Sequence, residues 1–360
     1  MIECLQPTPL RSGPSAEPAI WPSPTVTKVT PTTEPELLAT SPVTGAPTAT
    51  ASALPSPSPF PADVNPLTGE TVDDPTRLRR RPLAVKVSNA ARVRPQHGLN
   101  SADLVFEHVS EGGITRFTAV FYSQDSAKVG SIRSARLIDL EIPLMYDAAF
   151  AYSGSSAPIK SMIRAGTFFE RVISPDFEHN GFYRESKPGL RFEDTMFTDT
   201  FVLRSILQQR GEDVSPELTG TMAFAAEPPP GGQAGPFVEV QYGATIAYWH
   251  YDAGSGRYLR WSDGARHLDA ASEEQLSFKN ILIVRAQHQP TAIIEDSLGS
   301  PSIQIQFWGQ GPLQLHRDGL WYEGYWRREA TGHMLTFYDE SSNPLPLAPG
   351  NSFIHLVPLE

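Results

Sequence analysis

Two arginines three residues apart are the feature of this chain that most strongly suggests chemistry. Arg133 and Arg136 flank Ser134 at the end of the segment KVGSIRSAR, just before a predicted helix over residues 135–146. Paired guanidinium groups offer forked donors that match phosphate or carboxylate oxygens, and a helix N-terminus adds free backbone N–H groups. The pattern therefore predicts an anion site, to which Arg94, Glu111 and Arg116 of the preceding segments would contribute.

A second interpretation of these arginines is purely structural. Arg133 and Arg136 could form ion pairs with Glu107, Glu111 or Asp139 and so join a sheet to a helix, because internal ion pairs often resemble sites. The sequence leaves both interpretations open.

Acidic residues near the arginines supply the weak catalytic candidates, Asp103 and Glu107. Either could place a metal ion or a proton if the protein transfers a phosphoryl group, and a divalent metal is expected only in that case. No other cofactor and no metal site is predicted, since the nine histidines lack ligand spacing and the single cysteine is Cys4. Glycoside cleavage by Glu107 and Glu111 ranks last, because residues four apart on a strand lie about 13 Å apart.

The elements that would position these residues begin with alternating segments. Residues 82–87 and 104–109 predict strands, and Gly112-Gly113 predicts a hairpin loop before a strand over 114–122. A strand over 149–152 then leads through Ser153–Ser156 into a helix with Pro158 in its first turn and Gly166 as its stop. That serine turn suggests a polar helix cap more strongly than a nucleophile elbow, because its glycine pattern is wrong for an elbow.

The sequence predicts that the second half of the folded part consists almost wholly of β-strands. A Pro/Gly-rich linker or surface loop over 227–236 separates it from the first half, and five of the six tryptophans follow that loop. The hairpin over 245–261 is followed by strands over 281–284, 302–308, 320–326, 335–338 and 353–357. We therefore predict an α+β protein: a mixed α/β domain with a central sheet over 64–215, then a mainly antiparallel β domain over 216–360 with an aromatic core.

Residues 1–63 differ in composition from the rest. Fourteen of the 34 prolines lie between residues 7 and 61, interleaved with Thr, Ser and Ala, which predicts a disordered stalk or, alternatively, an ordinary disordered terminus. Cys4 stands where a bacterial lipoprotein carries its lipid, although the given chain has no apolar signal segment before it. We expect an extracytoplasmic protein that a lipid on Cys4 could anchor. The formal charge of -11 argues against nucleic-acid binding.

Several ordered stretches resemble the YerB-like bacterial lipoprotein family, also called domain of unknown function 3048. In the first half they are NPLTG at 65–69, RPLAV at 81–85, RPQHGL at 94–99, ADLVFE at 102–107, EGGITRF at 111–117 and VGSIRSAR at 129–136. Looser similarity continues through KNILI at 279–283, GYW at 324–326 and LAPGNSFI at 347–354. The resemblance covers everything after the stalk, and it implies a surface lipoprotein without implying an activity.

Two functions follow as expectations. The first is an envelope module, without catalytic activity, that binds a wall polymer or a partner protein through its aromatic residues and arginines. The second is an enzyme acting on a phosphorylated or pyrophosphate-linked envelope substrate, by loose similarity to the LytR-CpsA-Psr phosphotransferases. Arginines clustered in an open pocket would favour the enzyme, and arginines buried in matched ion pairs would favour the binding module. Enzyme activity therefore stays uncertain at this stage.

Overall fold

The computed structural model describes residues 60–186 and 188–359. Cys4 and nearly all of the predicted stalk lie outside the described residues. The strands of the first half are β1 (Leu83–Ser88), β2 (Leu104–Val109), β3 (Thr115–Phe121), β4 (Val129–Gly130), β5 (Ala149–Ala151), β6 (Val172–Ile173), β7 (Tyr183–Arg184) and β8 (Met196–Thr198). The α-helices are α1 (Ile142–Met145), α2 (Ala157–Ala165) and α3 (Thr200–Arg210).

The second half is built of strands with a few short turns. Its first strands are β9 (Gln233–Ala234), β10 (Phe237–Gln241), β11 (Ile246–Asp252), β12 (Arg257–Ser262), β13 (Ala265–Arg266), β14 (Ser277–Phe278) and β15 (Asn280–Ala286). The others are β16 (His288–Ile294), β17 (Pro301–Ile305), β18 (Gly309–Arg317), β19 (Leu320–Arg328), β20 (Thr336–Tyr338) and β21 (Ser352–Pro358). The α+β class predicted from the sequence is confirmed.

One large mixed sheet receives strands from both halves. Its order is β20-β19-β18-β15-β21-β2-β3-β1-β5-β6, with β9 added beside β19. The two halves meet where β21 pairs in parallel with β2, aligning Glu107 with His355. Strands β10–β14 form a separate five-stranded sheet, and β16 pairs only with β17 as a separate hairpin.

Alternating side chains on the large sheet enter two apolar cores. Phe106 and Phe150 belong to the first core, which also holds Ile159 and Ile163 of α2. Val105 and Phe117 belong to the second core, together with Leu203 of α3 and Trp249 of β11. We call the corresponding sides of the sheet the helix face and the sheet face. This alternation decides which charged side chains can meet, because neighbours along a strand point to opposite faces.

Two details differ from the sequence expectations. The predicted helix over 135–146 is a 3₁₀ turn over Leu137–Leu140 followed by the short helix α1. Pro143 in the first turn of α1 lacks an N–H group, so a continuous helix would lose a backbone hydrogen bond there. Only two of the five C-terminal tryptophans, Trp249 and Trp326, are fully buried, whereas Trp308 is 45% exposed.

Candidate functional site

The predicted charged residues are separated by the pleat of the β2–β3 hairpin. Glu107 pairs with Phe117, and His108 pairs with Arg116, so Glu107 and Arg116 point to opposite faces of the sheet. Glu107 meets Arg260 of the five-stranded sheet, whereas Arg116 lies with Glu111 and Arg136. The structure therefore does not unite Glu107 with these arginines in one site.

On the helix face, Glu111 holds two arginines at once. Its Oε2 accepts hydrogen bonds from Arg116 Nη2 at 2.9 Å and from Arg136 Nη2 at 2.5 Å, and its Oε1 accepts one from Arg136 Nε. Arg116 and Arg136 are 4% and 8% exposed. Burial, followed by the charge of Arg136, lowers the pKa of Arg116 to about 9. These side chains form a buried ion-pair cluster, as the structural interpretation of the arginines expects.

Beside this cluster lies a buried lysine that the sequence reasoning missed. Lys86 Nζ donates to Asp139 Oδ1 at 2.8 Å, to Thr118 Oγ1 at 3.0 Å and to His108 Nε2 at 2.5 Å. Burial lowers the pKa of Lys86 to about 8 even though Asp139 opposes that shift. The signal was present in the sequence, because Lys86 interrupts an apolar alternation in the middle of a strand.

On the sheet face, the Glu107 carboxylate accepts hydrogen bonds from three side chains. Glu107 Oε1 accepts from Asn89 Nδ2 at 2.9 Å and Thr115 Oγ1 at 2.6 Å, and its Oε2 accepts from Arg260 Nη2 at 2.8 Å. Arg260 lies over the rings of Trp249 and Phe353, with its guanidinium carbon 5.0 and 4.7 Å from their centroids. Arg260 belongs to the five-stranded sheet, which we call the small sheet, and Glu107 belongs to the large sheet. Their fully buried ion pair therefore joins the two sheets.

Asp103, the other weak catalytic candidate, precedes β2 at the opposite end of the hairpin from Arg116. Its carboxylate accepts hydrogen bonds from Asn65 Nδ2 at 2.7 Å, from the Tyr122 N–H at 2.6 Å and from Ser123. Burial raises the pKa of Asp103, while these donors lower it. The Asp103 side chain therefore joins the segment around Asn65 to the end of β3 by hydrogen bonds.

Arg94 lies at the contact between the two halves of the chain. Its guanidinium donates to Asp263 Oδ2 at 2.5 Å and to Thr245 Oγ1 at 2.8 Å, both in the small sheet's loops. Its Nε also donates to Asn89 Oδ1 at 3.1 Å. Arg94 is therefore occupied by protein partners, and it lies with a different set of residues from Arg116 and Arg136.

Arg133 and Ser134 precede a 3₁₀ turn, whose N-cap residue is Arg136, and not the α-helix expected over 135–146. Arg133 Nη1 donates to the Glu193 carbonyl at 3.1 Å and lies 3.6 Å from Asp194 Oδ1. The Ser134 carbonyl accepts from Arg116 Nη1 at 2.7 Å. The partner of Arg133 is thus Asp194 and none of the three acids named in the sequence analysis.

The serine turn before α2 does not cap the helix through a side chain. Ser156 stands at the N-cap position without a capping hydrogen bond, so that expectation is also wrong. Pro158 at the second helical position has no N–H group for a cap to bind. Ser155 instead donates to Asp176, which also accepts from the Gly154 N–H at 3.1 Å.

Four aromatic rings cluster on the outer side of the five-stranded sheet, two of them exposed and two half-buried. Phe237 of β10 and His250 of β11 are cross-strand neighbours with ring centroids 4.9 Å apart, and His250 lies 4.5 Å from Trp261 of β12. Tyr248 pairs directly with Trp261 and lies 6.0 Å from Phe237. We call these four residues the aromatic patch.

The aromatic patch faces outward because burial alternates along β10 and β12 and along most of β11. Val238, Trp249 and Arg260 are buried beneath it, whereas Phe237 is 45% exposed and His250 is also exposed. Apolar and aromatic residues that remain in water on a pleated sheet are typical of a binding surface. The sequence predicts aromatic contacts in this half, but its pattern does not distinguish these residues from the core tryptophans.

No group of three or more His, Cys, Asp or Glu side chains within residues 60–186 and 188–359 is arranged to hold a metal ion. Within the same residues, no helix is long and apolar enough to span a membrane.

Taken together, fold and side chains define an α+β protein with a mixed central sheet, buried ion pairs on both of its faces and an exposed aromatic patch. Family models for the N-terminal and C-terminal domains of a protein of unknown function, DUF3048, match residues 67–213 and 238–354. The chain belongs to this family. It is 31% identical to a Bacillus subtilis protein named Putative lipoprotein YerB, over 81% of this chain and 86% of that one.

The solved structures agree with this assignment. The crystal structure of YerB protein from Bacillus subtilis matches with a TM-score of 0.65 and 28% identity. The match covers 82% of this chain and 96% of the YerB chain.

Proposed function

We propose that this protein is a non-enzymatic binding protein outside the cytoplasm that holds a cell-wall polymer against its aromatic patch. The observation that carries the proposal is the row of rings on Phe237, His250 and Trp261, spaced by 4.9 and 4.5 Å on an exposed sheet surface. Aromatic faces pack against the apolar faces of sugar rings, and polar neighbours bind the hydroxyl groups. Glu239 of β10, which pairs with Tyr248, and Arg266 of β13, which pairs with Trp261, are exposed beside the patch and could supply such bonds.

The state of the arginines supports a binding protein over a phosphotransfer enzyme. Arg94, Arg116 and Arg136 each have a carboxylate partner within 3 Å, and Arg133 lies 3.6 Å from Asp194. An enzyme that grips a pyrophosphate needs donors free to face the substrate. Of these pairs, Arg94–Asp263 joins the two halves of the chain, and the others join segments of the first half.

The proposed location follows from the relatives and from composition. The similar Bacillus subtilis protein is named a lipoprotein. Cys4 followed by a Pro/Thr/Ser-rich segment is consistent with a lipid anchor and a spacer. The formal charge of -11 favours an uncharged glycan over a polyanionic polymer as the ligand.

Co-sedimentation of the full chain with purified, insoluble peptidoglycan tests the proposal. We expect the wild-type chain to sediment, and Trp261→Ala and Phe237→Ala each to weaken binding by at least about tenfold, because central aromatic residues dominate such contacts. Trp308→Ala is the matched control, since Trp308 is a 45% exposed tryptophan outside the patch.

Two outcomes would contradict the proposal. Sedimentation that survives both patch substitutions would show that another surface holds the polymer. A wild-type chain that stays in the supernatant would show that peptidoglycan is not the ligand.

A further inference from the structure

The β16–β17 hairpin is a separate two-stranded ribbon that packs along one side on the helix-face core. Ile305 at its base is buried in the helix-face core, and Ile303 in mid-strand and Ile293 next to the turn are partly buried against that core. Its turn is exposed: Ile294 is 49% and Leu298 90% accessible. The ladder is also interrupted between Pro290 and Ile294, so hydrogen bonding between the two strands is weaker near the turn.

Glu295, the first residue of that turn, carries a buried carboxylate with no hydrogen-bond partner. Its side chain has no exposed surface, and neither Oε1 nor Oε2 accepts a hydrogen bond from any described residue. The nearest cation is Arg136, whose Nη1 lies 3.6 Å from Glu295 Oε2. An ionised carboxylate without donors is unfavourable in such a place, so attraction to the arginine cluster is what offsets its burial.

The arginine cluster needs that negative charge. Lys86, Arg116 and Arg136 face only Glu111 and Asp139 when Glu295 is left out, which leaves one positive charge in excess. Arg116 Nε is buried without a hydrogen-bond partner. The lowered pKa of Arg116, caused by burial and then by Arg136, is consistent with a shortage of negative charge.

A cleft of about 400 Å³ opens beside the same turn. One wall is the loop Glu111–Gly113, which carries the carboxylate that binds both arginines. The other wall comes from the hairpin and includes His288, Pro290 and Ser300. Ser300 accepts a hydrogen bond from the Glu295 N–H at 2.9 Å, so the cleft and the buried carboxylate belong to one turn.

We propose that the β16–β17 hairpin is a flap and that Glu295 is an internal substitute for the carboxylate or phosphate group of a ligand. The ligand enters the cleft, its anionic group takes the place of Glu295 at Arg136, and the hairpin turn moves outward. Such a group would gain Arg116 Nε as a donor, since among the described residues the other guanidinium nitrogens of Arg116 and Arg136 already donate to protein acceptors. This inference is independent of the aromatic patch, which lies on the five-stranded sheet.

Glu295→Gln separates the proposal from a structural role, because the amide keeps the shape and removes the competing charge. Isothermal titration of the full chain at constant ionic strength uses two probes, inorganic pyrophosphate for a phosphate ligand and succinate for a carboxylate ligand. We expect at least one probe to bind Glu295→Gln about tenfold more tightly than it binds the wild type. The double variant Glu295→Gln/Arg136→Gln should lose this binding.

Glu329→Gln is the matched control, because it removes the same charge from an exposed side chain outside the flap. Hydrogen exchange of residues 288–305 should be faster in Glu295→Gln than in the wild type, since the flap has lost its attraction to Arg136. The proposal would be overturned if the wild type and Glu295→Gln bound the probes with equal affinity. It would also be overturned if neither protein bound either probe. An equal gain in probe affinity in Glu329→Gln would show only a general charge effect, and this result would also overturn the proposal.

Discussion

Glu107 connects the large sheet to the five-stranded sheet through its ion pair with Arg260. Its carboxylate is the counter-charge of Arg260, and Arg260 in turn packs over aromatic rings of both halves. Burial lowers the pKa of Arg260, and Glu107 opposes that shift. A buried charge of this kind depends on its partner for stability.

Replacing Glu107 with Gln should therefore lower the free energy of unfolding by about 3–5 kcal/mol, because Arg260 is left buried without a counter-charge. Denaturant unfolding measures the change, with the exposed Glu329→Gln as a control expected to stay within about 0.5 kcal/mol.

The pair Glu107→Met/Arg260→Met should recover part of the loss, since it removes both charges together. A loss below about 1 kcal/mol for Glu107→Gln would show that Glu107 and Arg260 are not coupled in this way.

Single residues also show where sequence reasoning ends. The sequence identified Glu111, Arg116 and Arg136 as a group because they are close along the chain, and they do meet. It could not identify Arg260 as the partner of Glu107, because 153 residues separate the two. The alternation of apolar and polar residues along a strand predicts which face of the sheet a side chain points to. Which distant residue it contacts there depends on the tertiary fold.

At the scale of elements, the β19–β20 pair depends on close approach at Gly324. A Cβ atom added there would lie 2.1 Å from the Tyr338 carbonyl oxygen, which belongs to the partner strand. Gly324→Ala should therefore separate the two strands locally and cost about 1–3 kcal/mol.

Gly332→Ala is the control for Gly324→Ala, because a Cβ atom at Gly332 meets open space. It should change stability by less than about 1 kcal/mol. Denaturant unfolding of the two variants side by side makes the comparison, and equal stabilities would refute the close-approach argument.

Helix α3 has a side-chain cap at its N-terminus, and two substitutions of the capping residue can test it. Asp199 Oδ1 accepts a hydrogen bond from the Val202 N–H at 2.7 Å. Asp199→Ala should cost about 1 kcal/mol, whereas Asp199→Asn keeps a capping oxygen and should cost only a few tenths. Urea unfolding monitored by far-ultraviolet circular dichroism would reveal the difference, and an equal cost for both variants would exclude the cap as its origin.

The hairpins were predictable element by element, because alternation and Gly-rich turns are local signals. The β2–β3 hairpin and the β11–β12 hairpin are confirmed close to their expected bounds. The failed prediction over 135–146 has a local cause in Pro143, whose effect on the helix was underestimated. The parallel pairing of β2 with β21 leaves no local signal, so the shared sheet emerges only from the structure.

At the scale of the whole molecule, three buried histidines are held neutral by donors from different elements. His108 Nε2 accepts from Lys86, His267 Nδ1 from Arg260, and His355 Nε2 from Trp249. A ring nitrogen that accepts such a bond carries no proton, so each ring is neutral. Burial, as the largest cause, lowers the pKa of all three well below 6.5.

This arrangement predicts that acid begins to destabilise the protein at pH values where most carboxylates are still ionised. Below pH 6.5 the unfolded chain protonates these histidines and the native state does not, so stability falls as the pH falls. Each histidine contributes about 1.4 kcal/mol per pH unit, and the three together about 4 kcal/mol per unit. Because a domain has only about 5–15 kcal/mol of stability, a slope of about 4 kcal/mol per unit places unfolding between about pH 5 and pH 3.

Urea unfolding at a series of pH values measures the slope, and His355→Gln should reduce it by about one proton. Glutamine at this position can still accept from Trp249 and donate to Tyr242, which are the two partners of His355. His250→Gln is the control, because His250 is exposed on the aromatic patch and should leave the slope unchanged. A stability that stays flat between pH 7 and 5 would mean that the native state accepts these protons, and the neutral hydrogen-bond pattern that joins the two sheets would then be incorrect.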